Sequence, residues 1–336
     1  MARLEVQNLQ VSFPTPAGLL QAVRGVSFTL EPGRTLALVG ESGSGKSVTG
    51  RAILGLTPGS ATIRGQILLE GQDILTLSEG DLTPIRGRRI AMVFQDPMTS
   101  LNPIVRIGSQ LTEAIPLPRK QAKEKALKLL QEVGIRDPER CFRQYPFQLS
   151  GGMRQRIVIA IALAADPEFL ICDEPTTALD VTIQAQILAL LNRLKRERGL
   201  GMLFITHDFG VVAAMADEIG VMYAGKLVEY GTAREIFYDP RHPYTWALLS
   251  AMPDLRSSGR LYAIAGTPPN MVCPPDGDAF APRNPYALQI DYTREPPAFP
   301  VTGTHWAATW LLDPRAPKAQ KPEILRQRQE GGGSYA

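Results

Sequence analysis

The stretch Gly40-Glu41-Ser42-Gly43-Ser44-Gly45-Lys46-Ser47 fits the pattern G-x-x-x-x-G-K-[ST]. An apolar run, Thr35–Val39, precedes it, and a helix-compatible run, Val48–Leu54, follows it. Such a loop binds phosphate because its glycines let backbone N–H groups turn toward an anion, and the helix N-terminus adds partial positive charge. We predict that this loop cradles the phosphates of a nucleotide, with Lys46 on the β- and γ-phosphates and the Ser47 hydroxyl on Mg²⁺.

A second apolar run, Phe169–Cys172, ends in the carboxylates Asp173 and Glu174. Strands of open α/β sheets deliver such residues to the crevice at their carboxyl ends. We predict that Asp173 holds Mg²⁺ through a water, and that Glu174 polarises the water that attacks the γ-phosphorus. Adjacent strand residues point to opposite sides, which favours two separate roles. Cys172 is interpreted as buried packing.

Further strands are predicted at Ile90–Phe94 and Met202–Ile205, whose unbroken apolar character suits a sheet covered on both faces. Apolar residues at helical spacing predict amphipathic helices over 122–133 and 183–198. These runs define an α/β domain over residues 1–240. Prolines become dense after residue 240, which predicts a loop-rich extension over 241–330, and residues 331–336 resemble a flexible tail.

Composition excludes several other classes. The 336 residues carry 36 Lys+Arg and 33 Asp+Glu, a net charge of +3, which argues against a dedicated nucleic-acid binder. The apolar runs fall short of the roughly 18–20 residues that a membrane-spanning helix needs. The 3 cysteines are far apart in sequence and do not form a disulfide framework, so a reducing, cytoplasmic setting is expected.

The segment Leu149-Ser150-Gly151-Gly152-Met153 resembles the LSGGQ signature of ATP-binding-cassette (ABC) ATPases, with Met153 where Gln is commonest. Ser150, Gly151 and Gly152 open a predicted helix, Met153–Ala165, and so form a second anion-binding N-terminus. The resemblance implies a P-loop NTPase fold of ABC type: a RecA-like core with a helical subdomain at about 97–163. It also implies that ATP is sandwiched between two cassettes, each signature facing the other's nucleotide.

Four further residues resemble family motifs in order and spacing. The resemblance implies that Gln95 is the Q-loop residue, which contacts Mg²⁺ and senses the membrane partner, and that Asp180, in Ala178-Leu179-Asp180, belongs to the D-loop at the dimer interface. It implies that His207 is the switch histidine on the γ-phosphate and that Phe13 stacks on adenine. Because the family's Glu and His are both present, we expect a hydrolysis-competent ATPase.

Segments in and before the C-terminal extension indicate one subfamily of ABC ATPases. Residues 99–103, 237–245 and 277–287 are similar to segments of oligopeptide/dipeptide importer ATPases. This implies uptake of peptides or similar small solutes at the cytoplasmic face of the inner membrane. The implied partners are two permease subunits, a solute-binding protein and a second ATPase, with a paralogue favoured over an identical chain.

Two alternatives stay open at this point. A nickel or other metal importer uses the same kind of cassette, and the cassette does not touch the solute. A non-transport cassette ATPase of DNA repair or translation is the other alternative. Such proteins usually carry a coiled-coil insertion or a second cassette, and neither is evident in this sequence.

The extension departs from its subfamily at four positions. Relatives often carry cysteines where this chain has Asp278, Asn284, Asp291 and, less clearly aligned, Thr309. Where the cysteines are kept, they can hold an iron–sulfur cluster, and oxygen ligands are poor substitutes for thiolates. Since Cys273 alone cannot replace them, we expect no cluster.

Overall fold

The computed structural model describes residues 3–177, 179–252 and 264–330. The chain divides into two compact units. The signature unit contains residues 30–35 and 73–205. The phosphate-loop unit contains residues 4–29 and 36–72 together with the described residues from 206 onward. The predicted tail, residues 331–336, lies outside the described residues.

In chain order the strands are β1 Leu4–Thr15, β2 Gly18–Leu30, β3 Thr35–Val39, β4 Thr62–Leu69, β5 Gln72–Asp73, β6 Ile90–Val93, β7 Phe169–Asp173, β8 Gly201–Thr206, β9 Glu218–Tyr223, β10 Lys226–Thr232, β11 Phe299–Pro300 and β12 Trp306–Ala307. The α-helices are α1 Lys46–Ile53, α2 Glu79–Leu82, α3 Pro97–Ser100, α4 Ile107–Glu113, α5 Arg119–Glu132, α6 Pro138–Arg143, α7 Gly151–Ala162, α8 Val181–Arg198, α9 Phe209–Met215, α10 Ala233–Tyr238, α11 Pro243–Ser250 and α12 Glu323–Glu330.

The signature unit contains three parallel strands in the order β8, β7, β6. All three are buried along their whole length, as their unbroken apolar sequences predict. Strand β6 is one residue shorter than expected, since Phe94 lies beyond its end and is exposed. Helices α3 to α7 occupy the region predicted to be helical, and α8 ends at Gly199, which adopts the left-handed conformation at its C-cap.

The phosphate-loop unit contains the strand order β11, β12, β10, β9, β3. Strand β3 runs parallel to β9, and the other pairs are antiparallel. A second sheet, in which β1 lies between β2 and β4, was not anticipated from the sequence. Its strands mix buried and exposed positions, so they lack the continuous apolar signal of the central strands.

The proline-rich extension is part of the phosphate-loop unit's core. Tyr244, Phe280 and Leu325 are buried in the same apolar cluster as Val39 and Val221. The short strands β11 and β12 continue the sheet beside β10, where a proline at the outer strand is tolerated. Compact packing therefore continues past residue 240, the position at which the sequence predicts a domain boundary.

A buried carboxylate joins β10 to the extension. Glu229 is fully buried and accepts hydrogen bonds from the backbone N–H groups of Arg241 and His242. It also accepts one from Nε2 of the buried His305, at 2.8 Å. A buried carboxylate is stable only when its oxygens are satisfied in this way, so Glu229 fixes the start of the extension and its later residue His305 against one strand.

No described helix combines the length and the apolar character that crossing a membrane would require.

We predict that Glu229→Ala lowers the free energy of unfolding by about 3–5 kcal/mol, because three buried donors lose their acceptor. Thermal and urea unfolding of the full-length protein would measure the loss. Glu113→Ala, a matched change at an exposed site on α4, should leave stability nearly unchanged. Equal unfolding midpoints for the two variants would contradict the role assigned to Glu229.

Candidate nucleotide site

The phosphate loop is shaped by glycines that no other residue could replace without displacing backbone. Gly40 has φ of +153°, and a Cβ there would lie 2.1 Å from the carbonyl oxygen of Met222. Gly45 has φ of +100°, and its Cβ would lie 2.4 Å from the carbonyl oxygen of Ala22. The loop therefore packs directly on neighbouring main chain, which only glycine permits at these positions.

Lys46 places a buried ammonium inside the loop. Its side chain is 4% exposed. Its Nζ donates to the carbonyl oxygens of Gly40, at 2.8 Å, and Glu41, at 2.9 Å, and it lies 3.4 Å from Oγ of Ser44. A buried cation requires such oxygen partners, and phosphate oxygens are stronger acceptors of the same kind. The Lys46 ammonium is therefore held inside the loop by oxygen acceptors of the loop itself.

The N-terminus of α1 adds its backbone donors to the same loop. Gly45 is the N-cap of α1, and as a glycine it has no side chain that could cap the helix. The first-turn N–H groups and the positive end of the helix dipole therefore face the loop directly. Ser47 lies in that first turn and is partly exposed. Two other predicted site residues of this unit are accessible: Phe13 is partly exposed on β1, and His207 is exposed directly after β8.

The two carboxylates at the end of β7, Asp173 and Glu174, are not separated by strand alternation as the sequence predicts. Asp173 is the last residue of the strand and is fully buried. Glu174 lies beyond the strand with φ of +46°, a conformation that non-glycine residues rarely adopt. Strand alternation is therefore the wrong reason for their separation. The left-handed turn redirects Glu174, and the hydrogen bond from its N–H to the Ile205 carbonyl, at 2.9 Å, stabilises that turn.

The signature unit brings two predicted catalytic residues together. Oε2 of Glu174 accepts hydrogen bonds from Nε2 of Gln95, at 3.1 Å, and from Oγ1 of Thr177, at 2.9 Å. Gln95 follows β6 and Glu174 follows the adjacent strand β7. Parallel strands place these ends at one edge of the sheet, so residues distant in sequence hold one carboxylate in position.

The signature and D-loop residues both begin helices. Ser150 is the N-cap of α7, where its Oγ accepts from the Met153 N–H at 3.3 Å. Asp180 is the N-cap of α8, where its Oδ1 accepts from the Ile183 N–H at 2.9 Å. Gly152 is required by close packing, since a Cβ there would lie 2.8 Å from Ile183. Ala178, the first residue of the predicted D-loop, lies outside the described residues.

The donor chemistry of the predicted metal ligands suits Mg²⁺. Ser47, Asp173 and Gln95 offer hydroxyl, carboxylate and amide oxygens, which are hard ligands. Among the described residues, no group of three or more His, Cys, Asp or Glu side chains could hold a metal ion alone. Mg²⁺ in nucleotide sites keeps several waters and binds substrate phosphates, so few protein ligands are needed. The residues present therefore fit this ion.

The four positions where relatives often carry cysteines hold their own backbone turns. Each side-chain oxygen accepts a hydrogen bond from a nearby N–H group, and all four residues are buried. The pairs are Asp278 with Phe280 at 2.9 Å, Asn284 with Tyr286 at 2.9 Å, Asp291 with Leu288 at 2.6 Å, and Thr309 with Leu311 at 3.3 Å. These oxygens stabilise the extension through local turns.

Sequence reasoning missed two residues that contact the phosphate loop. The N–H of Glu41 donates to the hydroxyl of Tyr244 at 2.8 Å, and Arg283 forms an ion pair with the Glu41 carboxylate. Both residues lie within the segments, 237–245 and 277–287, that carried the resemblance in the extension. Their spatial role could not be read from sequence, because about 200 residues separate them from the loop.

This geometry, an α/β sheet with a glycine-shaped phosphate loop and a second helix that begins at a Ser-Gly-Gly segment, is typical of α/β nucleoside-triphosphatases. The ABC transporter family matches residues 23–177, and the C-terminal region of oligopeptide/dipeptide transporters matches residues 228–290. The chain belongs to the ABC transporter family, as an ATP-binding ATPase subunit.

Two relatives are similar in sequence to nearly the whole chain. The oligopeptide transport ATP-binding protein OppD of Bacillus subtilis is 55% identical over 333 residues, covering 97% of this chain and 93% of that protein. The dipeptide transport ATP-binding protein DppD of Lactococcus lactis is 57% identical over 332 residues, covering 97% and 95%.

Solved structures of ABC cassettes are similar in fold to about two thirds of this chain. The dimeric bacterial ABC transporter cassette MJ0796 matches with a TM-score of 0.62 and 27% identity, covering 69% of this chain and 99% of that chain. A post-hydrolysis dimer of the same cassette, bound to ADP and Pi, matches with a TM-score of 0.61. These likenesses confirm the predicted fold class.

We predict that Asp278→Asn stabilises the protein at neutral pH. Burial raises the pKa of Asp278 from 3.8 to about 6, so the ionised carboxylate opposes folding above that pH. The penalty grows as the pH rises from about 4 through 6 and disappears below, where the carboxyl is protonated in both states. Asparagine keeps the acceptor for the Phe280 N–H and removes the charge.

Thermal unfolding of wild type and Asp278→Asn between pH 4 and 8 measures this effect. We expect a gain of about 1–3 kcal/mol at pH 8 and none at pH 4. Asp313→Asn is a control of opposite sign, because hydrogen bonds from Arg315 lower the pKa of Asp313 to about 2. A stability difference for Asp278→Asn that does not change with pH would refute the assignment.

Proposed function

We propose that this chain is the ATP-hydrolysing subunit that powers peptide uptake through an ABC importer. The observation that carries the proposal is the buried Lys46 ammonium inside a glycine-shaped loop, in a chain that also contains a signature helix N-terminus. Relatives of matching length are named as oligopeptide and dipeptide transport ATP-binding proteins, which favours peptides over metal ions as the solute.

In the proposed site, the loop residues Gly40–Ser47 bind the nucleotide phosphates through their N–H groups, and Lys46 exchanges loop carbonyls for phosphate oxygens. Phe13, on β1, stacks on the adenine ring. His207 contacts the γ-phosphate. Hydrolysis of phosphoanhydrides depends mainly on such positioning and charge stabilisation, with little covalent chemistry from the protein.

Ser47, Gln95 and Asp173 would hold Mg²⁺, which when bound neutralises charge on the β- and γ-phosphates. Glu174 orients the attacking water and accepts its proton. Its carboxylate is already fixed by Gln95 and Thr177, so Gln95 connects the Q-loop to the group that acts on water. This arrangement would let contact with a membrane partner at the Q-loop alter hydrolysis.

The remaining residues act across a dimer. Ser150, Gly151 and Gly152 present the N-terminus of α7 to the nucleotide of a second cassette, and Asp180 lies at the same interface. We propose a heterodimer with a paralogous ATPase, bound to two permease subunits at the cytoplasmic face of the membrane and supplied by a solute-binding protein. In this arrangement residues 1–240 are the cassette, with the helical subdomain at 97–163, and residues 241–330 are the extension.

We predict that Lys46→Ala weakens ATP binding by about 10- to 100-fold, because charge-assisted hydrogen bonds to the phosphates are lost. Titration with a fluorescent ATP analogue measures the affinity. The control is Lys128→Ala, which removes an exposed lysine of α5. Unchanged affinity in Lys46→Ala would count against the phosphate-loop role.

We predict that Glu174→Gln reduces ATP turnover by about 10²- to 10⁴-fold, since the amide cannot accept the water proton. ATP should then accumulate in a closed dimer, detectable by light scattering of the full-length protein mixed with its partner ATPase, Mg²⁺ and ATP. Glu197→Gln, at an exposed position of α8, is the control and should turn over normally. Full turnover in Glu174→Gln would refute the assignment.

A further inference from the structure

The second residue of the phosphate loop is held on three sides. The N–H of Glu41 donates to the Tyr244 hydroxyl at 2.8 Å. Its carbonyl accepts from Nζ of Lys46 at 2.9 Å. Its carboxylate accepts two parallel bonds from Arg283, at 2.7 Å from Nη1 to Oε2 and 2.9 Å from Nη2 to Oε1. Glu41 therefore connects two residues of the extension to the lysine that binds phosphate.

The ion pair is built into the unit's interior. The Arg283 side chain is only 5% exposed, and that of Glu41 is 25% exposed. Arg283 also donates from Nη1 to the Tyr223 hydroxyl at 3.1 Å and from Nε to the Ala265 carbonyl at 2.9 Å. A planar guanidinium that is fixed by several acceptors loses little further freedom when it binds a carboxylate bidentately. The pair is accordingly much more rigid than an exposed ion pair.

An aromatic cluster holds both contacts in place. The rings of Tyr223, Tyr244 and Phe280 lie with centroids 4.6–5.3 Å apart in tilted and edge-on arrangements. The guanidinium of Arg283 lies over the Tyr223 ring, at 5.8 Å from its centroid. Hydrogen bonding to Glu41 raises the pKa of Arg283, which keeps the cation fully charged. The support for Glu41 thus comes from packed residues of β9, α11 and the extension.

Other contacts also hold the phosphate loop, but they are made at Gly40 and Ser44 and not at Glu41. Gly40 packs on the Met222 carbonyl, and the Ser44 carbonyl accepts from the Gly225 N–H at 3.1 Å. These contacts come from the end of β9 and the turn that follows it. Residues 244 and 283 add the contacts at Glu41, the residue whose carbonyl receives the lysine ammonium.

We propose that Arg283 and Tyr244 are positioning residues for nucleotide binding, so that the C-terminal extension forms part of the nucleotide site. They fix the Glu41 peptide, and thereby the main chain of the loop, before nucleotide enters, whereas Lys46 leaves the Glu41 carbonyl for phosphate oxygens when nucleotide binds. This inference rests on the proposed function. Preorganisation of this kind raises affinity by lowering the ordering cost of binding.

The expected signature is a change in affinity without a matching change in chemistry. Arg283→Ala should raise the Kd and the KM for ATP by about 10-fold, since the loop must then be ordered by the nucleotide itself. At saturating ATP, kcat should stay within about twofold, because the bound phosphates restore the same arrangement. Arg283→Lys keeps the charge but not the bidentate geometry, and an intermediate loss of affinity is expected.

The test uses full-length protein, a fluorescent ATP analogue for Kd and phosphate release for kcat and KM. The matched control is Glu295→Gln, which weakens the extension's ion pairs with Arg24 and Lys226 without touching the phosphate loop. Wild-type affinity in Arg283→Ala would overturn the proposal. So would an equal loss in Glu295→Gln, since the effect would then reflect general docking of the extension.

A double-mutant cycle tests the pair itself. If Arg283 acts through Glu41, the variant Glu41→Gln/Arg283→Ala should bind no more weakly than Arg283→Ala alone, whereas additive losses would contradict the mechanism. Tyr244→Phe removes only the hydroxyl and should weaken binding about threefold. If Arg283→Ala does not fold, Tyr244→Phe is the test of the proposal. Unchanged ATP affinity in Tyr244→Phe would then overturn it. If Lys46→Ala binds as tightly as wild type, the proposed function fails and this inference falls with it.

Discussion

A buried positive charge is the constraint around which the phosphate-loop unit is organised. The Lys46 ammonium is almost fully enclosed, and a cation in that position needs oxygen acceptors on every side that water does not reach. The loop carbonyls provide them because glycines at 40 and 45 let the main chain pack where a Cβ could not fit. The fully buried strand β3 ends at this loop and fixes where the charge lies. A site that stabilises a cation in this way is suited to bind polyphosphate.

The extension shows how a proline-rich segment can be a structural part of a catalytic unit. Proline prevents long helices and interior strands, and the segment instead contributes two-residue strands beside β10 and aromatic side chains to the core. Polar contacts that fix it to the unit include the hydrogen bond between Glu229 and His305 and the ion pair between Glu41 and Arg283. The first contact is buried and structural, whereas the second reaches the candidate phosphate loop. The same extension therefore links packing with function.

Most of the candidate site could be predicted from the sequence, because its parts are local. The glycine pattern, the carboxylates after an apolar strand, and the start of a helix at Ser150 each depend on residues within a few positions of one another. The bond between Gln95 and Glu174 could not be predicted in the same way, since it depends on β6 and β7 being neighbours. The left-handed conformation of Glu174 was also missed, because no propensity of glutamate signals it.

The sequence by itself determined the fold class, the family and the motifs on which the candidate phosphate-binding residues lie, since these are carried by short segments with strict spacing. The tertiary structure decided which distant residues support them. Arg283 and Tyr244 meet Glu41 only because strand order and the aromatic core bring residues about 200 positions apart into contact. Hydrophobic periodicity records which face of an element is buried, but it does not record what lies against that face. Which residues pair with the buried charged side chains is therefore known only from the tertiary structure.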